Sequence, residues 1–251
     1  MDLDGTLAPI VARPQDAAVI DGAREALIAL RDRMGLVGFI SGRGLEDLRR
    51  IVGIPGCTYV GNHGFEMQDP DGGVRIAADA RAWLPAISGL VDEWREGLAG
   101  QPGVHVEPKG VTLSVHWRTA ADRRAAEVLL RGRFAPEAER RGLAVTWGRM
   151  VMEVRPPVAI NKGTAVRDVL SGGRWRGAAY VGDDRTDVDA WQALHAMRAA
   201  GELDHAIAVA VASPESPEEV IAASDAVVEG PEDVRELLRV LVGRLSPPDA
   251  R

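Results

Sequence analysis

Three segments of the chain share one grammar: a short apolar run, then a polar Gly-containing turn, then a stretch of helical periodicity. Residues 36–40 lead into Ser41-Gly42-Arg43 and a helix over 45–52, and residues 178–181 lead into Gly182-Asp183-Asp184 and a helix over 186–197. At the start, Asp2-Leu3-Asp4-Gly5-Thr6 reads as a strand end, and Ala23, Leu27, Ile28 and Leu30 mark the helix that follows. Residues 206–212 and 226–228 read as further buried strands, followed by helices near 218–223 and 234–242. Strands joined through helices pair in parallel with both faces covered, so the expected fold is α/β with a doubly wound parallel sheet.

The middle of the chain breaks this alternation. A helix set by Trp83, Leu84, Ile87, Leu90, Val91 and Trp94 precedes strands at 104–107 and 111–117. An Arg/Glu-rich helix over 120–140 and strands at 143–147 and 151–154 follow. Helix-strand-strand, twice over, predicts a small α+β domain at 81–157 inserted into a core made of 1–80 and 158–251. Pro156-Pro157 and residues 79–82 are the expected hinges, and 246–251 reads as a polar tail.

Composition narrows the function classes. Acidic residues outnumber basic ones, 37 to 30, for a net charge of −7, which argues against a nucleic-acid partner held by the overall field. The longest apolar run, 206–212, is far shorter than the roughly 20 residues of a membrane-spanning helix, so no membrane partner is expected. No secretory leader is legible and the single Cys57 cannot form an internal disulfide, so a cytoplasmic location is expected, with Cys57 a buried hydrophobe.

The basic residues carry a second signal. Of the 30, only Lys109 and Lys162 are lysine, and asparagine occurs only at Asn62 and Asn161. A chain that replaces Lys and Asn wherever structure is indifferent keeps them where chemistry insists, and two of the four are adjacent, Asn161-Lys162.

Loops at the carboxyl ends of parallel strands are where α/β folds place their sites, and these loops concentrate acids. Asp2 and Asp4 are two apart, Gly5 permits a sharp turn, and Asp183, Asp184 and Asp187 open a helix. Each cluster alone also fits strand-end turns and helix caps. Together they put up to five carboxylates near one point, which a hard divalent cation relieves, and oxygen-only ligands indicate Mg²⁺. With Ser41 at a helix start and the rare Lys162, the set suits a phosphoryl group.

DLDGTLAP, ISGR, NKG and GDDRTD, in that order, resemble the four signature motifs of the haloacid dehalogenase superfamily of phosphatases. GNHGFE, VEPKGVTLSVHWR and MEVRP before NKG are more similar to the trehalose-6-phosphate phosphatase family in particular. The resemblance implies an Mg²⁺-dependent phosphatase acting on a small sugar phosphate, trehalose 6-phosphate, through an aspartyl-phosphate. It implies Asp2 as nucleophile and Asp4 as the acid that protonates the leaving oxygen and then activates water. It implies that Ser41 and Lys162 hold the phosphoryl group and that the metal is held by Asp2, the Asp4 carbonyl and Asp183, with Asp187 close or acting through water. The inserted domain is expected to be a mobile cap that reads sugar hydroxyls with Glu107, Lys109 and His116, with Arg43, Asn62, His63 and Glu153 as further contacts. A monomer is expected, functionally coupled to a trehalose-6-phosphate synthase.

Other readings stay open on the residues alone. Phosphatases of sucrose 6-phosphate or a glycosyl-3-phosphoglycerate share the core motifs and differ in the cap. A phosphoacceptor module, or a regulatory domain with a vestigial pocket, would keep the acids without the turnover. The chain departs from the resemblance twice: only Met1 precedes Asp2, so most of the usual first strand is missing and a truncated or late-assigned start is expected, and Val188 stands where an acid is common.

Overall fold

A computed structural model describes residues 1–11, 13–148 and 150–245; the polar tail at 246–251 lies outside the described residues. The chain divides into two compact units, Met1–Arg75 with Ile160–Arg251, and Ile76–Ala159.

In the first unit, β1 (Gly38–Ile40), β2 (Thr58–Gly61), β3 (Glu66–Gln68) and β4 (Val74–Ile76) form one sheet in that order, β1 and β2 parallel and β2 and β3 antiparallel. A second, all-parallel sheet has the order β11 (Ala226–Glu229), β10 (His205–Ala212), β9 (Gly177–Gly182). The start of the chain joins the two. The Met1 amine donates to the Gly38 carbonyl, Ile40 N–H donates to Met1, and Asp2 N–H donates to Val181. Asp2 is thereby fixed at the carboxyl ends of β1 and β9. Beside this bridge an apolar cavity of about 190 Å³ is lined by Val37, Phe39, Ala178, Leu237 and Leu241 among others, and it lies apart from the acids.

The helices cover the sheets for the reasons their sequences give. In α1 (Ala23–Arg31) Ala23, Ala26, Leu27 and Leu30 are buried at spacings of three and four. Each such leucine contributes roughly 1.5–3 kcal/mol by leaving water. Ile28, read from sequence as part of that face, is exposed. In α2 (Leu45–Val52) the same pattern buries Leu45, Leu48, Ile51 and Val52. Cys57 is buried, and burial pushes its thiol up to about 11, as suits a hydrophobe.

In the second unit, α3 (Leu84–Gly97) buries Ile87, Leu90, Val91 and Trp94. An antiparallel sheet follows with the order β5 (His105–Pro108), β6 (Leu113–His116), β8 (Val151–Arg155), β7 (Ala144–Gly148). The expected single helix over 120–140 is instead α4 (Arg123–Leu129), a π-helical turn at Leu130–Phe134, and α5 (Ala135–Arg140). Pro136 has no N–H to donate one turn back, and the helix widens where that bond is lost.

Candidate active site

Two helix starts and the chain's first residues build the site. Asn161 is the N-cap of α6 (Lys162–Ser171): its side chain accepts from Thr164 N–H, and Thr164 Oγ1 accepts from Asn161 N–H. That closed turn delivers Lys162 inward, where it is 1% exposed. Asp184 caps α7 (Arg185–Ala199), its carboxylate accepting from the N–H and hydroxyl of Thr186, so Asp183 precedes the helix and Asp187 lies in its first turn. One half of the rare Asn161-Lys162 pair is thus a helix cap and the other a buried cation.

Lys162 Nζ lies 2.9 Å from Asp2 Oδ2 and 2.7 Å from Asp187 Oδ1. Asp187, wholly buried, also accepts from Tyr180 hydroxyl at 2.9 Å and, through Oδ2, from the N–H groups of Asp183 and Asp184 at 3.0 Å each. Four donors occupy its oxygens, so Asp187 braces Lys162 and the loop. Asp2 differs: it is 5% exposed, and its Oδ1 is buried with no partner among the described residues. Asp183 accepts only weakly, from Thr6 hydroxyl at 3.2 Å. Oxygens of Asp2, Asp183 and Asp187 all lie within 4.8 Å of one another.

Burial of this much charge shifts its titration. Desolvation pushes Asp2 up to about 7 against the pull of Lys162. Desolvation, then repulsion from Asp2, Asp187 and Asp184, pushes Asp183 up to about 8. Lys162 goes the other way, because the attraction of Asp2, Asp187 and Asp184 outweighs its own desolvation and keeps it protonated. Asp184, despite its burial, is held low by Lys162 and Thr186. The orphaned Asp2 oxygen and the repelled Asp183 are a donor set for a hard cation, whose charge would offset both penalties. Gly5 makes their approach possible: its φ is +77°, and a Cβ there would sit 2.0 Å from Asp183 Oδ2.

Asp4 has different company. The Arg43 guanidinium grips it with two bonds, Nε to Oδ2 at 2.6 Å and Nη2 to Oδ1 at 2.8 Å, and gives Nη1 to Asp47 at 2.6 Å. Arg43, expected on the sugar, is therefore engaged by carboxylates, whose geometry its fork matches. Ser41 follows Ile40, whose N–H holds Met1, so Ser41 and Asp2 flank one backbone bond. Its hydroxyl accepts from Arg43 N–H, and the α2 cap is Gly44, so Ser41 is not a capping residue. Asn62 is buried and donates to Glu66, and both Asn62 and His63 adopt positive φ, 50° and 58°. Val188 packs against the apolar core.

The remaining expected residues lie in the second unit. His116 Nε2 and Glu107 Oε2 are 2.6 Å apart, and Lys109 Nζ lies 3.7 Å from Glu153 Oε1. Sequence reasoning missed Thr6, Tyr180 and Glu66. Thr6 and Glu66 stand inside quoted motifs, whereas Tyr180 is one letter in an apolar strand.

The chain resembles solved structures over nearly its whole length. A trehalose-6-phosphate phosphatase related protein matches with a TM-score of 0.80 at 22% identity, covering 97% of this chain and 96% of that one. The C-terminal domain of the Candida albicans trehalose-6-phosphate phosphatase matches with a TM-score of 0.74 at 24% identity, covering 98% and 92%. Both share the α/β architecture of this chain. The trehalose-phosphate phosphatase of Mycobacterium tuberculosis is 41% identical over 198 residues, 77% of this chain. The chain spans about half the length of the curated relatives it matches. The Trehalose-phosphatase family pattern matches residues 1–227, and the chain belongs to that family.

Proposed function

We propose that this chain hydrolyses trehalose 6-phosphate to trehalose and phosphate through a covalent aspartyl-phosphate, with Mg²⁺ as its cofactor. The observation that carries the reading is Asp2: a buried carboxylate with one oxygen on Lys162 and the other without a protein partner, beside Asp183. In the first step an Asp2 oxygen attacks phosphorus and the bond to the sugar oxygen breaks, Asp4, protonated and turned away from Arg43 in the substrate complex, giving its proton to that oxygen. In the second, water attacks phosphorus, Asp4 takes a proton from it, and the bond to Asp2 breaks, releasing phosphate and restoring both carboxyl groups. Repulsion between carboxylate and phosphate dianion opposes the first step, and Lys162, held protonated in a buried site, lowers it. Asp2, Asp183 and the Asp4 carbonyl would hold Mg²⁺, which supplies charge neutralisation at the phosphoryl oxygens. Enzymatic hydrolysis of phosphate monoesters lowers the barrier by more than about 20 kcal/mol, so these groups act together.

The second unit, in this reading, binds the sugar through Glu107, Lys109, His116 and Glu153, whose carboxylate, ammonium and imidazole groups suit hydroxyls. Action as a cytoplasmic monomer beside a trehalose-6-phosphate synthase belongs to the same proposal. The deciding experiment is phosphate release across a panel of sugar phosphates, with and without EDTA. Preferred turnover of trehalose 6-phosphate that EDTA abolishes and Mg²⁺ restores supports the reading. Preference for sucrose 6-phosphate or a glycosyl-3-phosphoglycerate replaces the substrate, and no release from any ester refutes the enzyme.

A further inference from the structure

The polar face of the β5-β6-β8-β7 sheet holds a group that no step above uses. Directly opposed residues of an antiparallel ladder share a face. Glu107 opposes Ser114, Ser114 opposes Glu153, and Glu153 opposes Thr146, so the four form one row across the sheet. Leu113 and Val115, on either side of Ser114, point the other way and are fully buried in the apolar cluster beneath. Ser114 therefore lies at the middle of the polar row, flanked by the two pairs Glu107–His116 and Lys109–Glu153. It is 1% exposed, and its hydroxyl makes no hydrogen bond to any group of the described residues. A hydroxyl offers one donor and two acceptors, and buried hydroxyls are nearly always satisfied. Its short side chain lies between two longer carboxylates in that row.

We propose that Ser114 is a specificity-determining residue whose hydroxyl bonds a hydroxyl of the bound sugar seated between Glu107 and Glu153. The proposal rests on the reading of this sheet as the sugar-binding face. It assigns Ser114 recognition of the polyol portion of the substrate, with no part in phosphoryl transfer. A neutral hydroxyl partner suits serine, since it can donate to one sugar oxygen and accept from another.

The test compares Ser114→Ala with the wild-type chain on trehalose 6-phosphate and on p-nitrophenyl phosphate, which has no sugar. The ratio of kcat/KM for the sugar ester to that for the aryl ester is expected to fall about 3–10-fold, the worth of one neutral hydrogen bond, through KM. The melting temperature is expected to stay or rise, because alanine removes a buried hydroxyl without a protein partner. Calorimetry of trehalose itself binding to Asp2→Asn, with and without Ser114→Ala, should show the same factor. An unchanged ratio and unchanged trehalose affinity overturn the proposal, and so does a lowered melting temperature with an unchanged ratio, which makes the hydroxyl structural. Lys109→Met and Glu107→Gln separate the two levels. If they lower the ratio and Ser114→Ala does not, only the serine assignment fails, and if none lowers it, the sugar-binding reading of the face fails with it.

Discussion

The acid pocket of the first unit and the polar sheet face of the second use the same residue types under opposite conditions. In the pocket, Asp2, Lys162 and Asp187 are almost wholly removed from water, and Lys162 lies within 2.9 Å of both carboxylates. On the sheet face, the Glu107 side chain is 42% exposed, and Lys109 approaches Glu153 no closer than 3.7 Å. Burial amplifies electrostatics and makes every unpaired charge costly, whereas water partly screens the pairs it reaches on the sheet face. In the proposed function, chemistry is thus concentrated where removing one group disturbs all the others, and recognition where groups act nearly independently. Substitutions in the pocket should cost orders of magnitude, and those on the face single factors.

The largest effect is expected from Asp2→Asn. It removes the proposed nucleophile while keeping the shape, and turnover should fall by about 10⁴–10⁶, the scale on which loss of a covalent nucleophile acts. Circular dichroism and melting should be close to wild type, because burial already disfavours the Asp2 charge. Phosphate release at the wild-type rate from this variant would falsify the assignment.

Lys162→Met comes next and bears on stability as well as rate. It leaves Asp2 and Asp187 buried without their shared cation, a change that costs about 3–5 kcal/mol. Urea unfolding should show that loss in metal-free protein, and Mg²⁺ should recover part of it. A loss under about 1 kcal/mol would mean that the pocket is far more solvated than its burial indicates.

The pH dependence distinguishes the regions further. Asp2 and Asp183, raised to about 7 and about 8, bind protons in the folded chain that an unfolded carboxyl has released. Their contribution to stability is therefore present at acid pH and lost as pH rises from about 4 to about 8. A cation on the two carboxylates removes their penalty, so the Mg²⁺-induced rise in melting temperature should grow with pH up to about 8. A rise independent of pH would separate the metal from Asp2 and Asp183.

Much of the pocket was legible because its acids fall at the ends of apolar runs, where spacing alone reports placement. Lys162 stood out by rarity, and Asp183 and Asp187 by their position at a helix start. What spacing cannot report is partnership. Asp187 is expected close to the metal or acting through water, and its oxygens, near those of Asp2 and Asp183, are also bonded by Lys162, Tyr180 and two backbone N–H groups. Arg43 is expected on the sugar, and the structure gives its fork to Asp4 and Asp47. Tyr180 and Ser114 lie inside apolar strands, where one hydroxyl does not break the pattern. In the fold, β1 and the parallel β9-β10-β11 sheet were visible as apolar runs. The short strands β2 to β4 were not, because three or four residues interrupted by Gly and Asp carry too little periodicity.

The smallest effect sharpens the comparison most, because it asks whether the sheet face has a function beyond its own stability. Lys109→Ala removes an ion pair whose side chains are 15% and 17% exposed and whose closest approach is 3.7 Å. Its contribution to folding should be under about 1 kcal/mol, as for other pairs reached by solvent. If Lys109 binds sugar, KM for trehalose 6-phosphate should nevertheless rise about tenfold, the worth of a charged hydrogen bond, while KM for p-nitrophenyl phosphate holds. Steady-state kinetics on the two esters, with urea unfolding of the same samples, separates the outcomes. Equal rises for both esters would reduce Lys109 to a general attraction for phosphate and would remove the distinction between a reacting region and a recognising one.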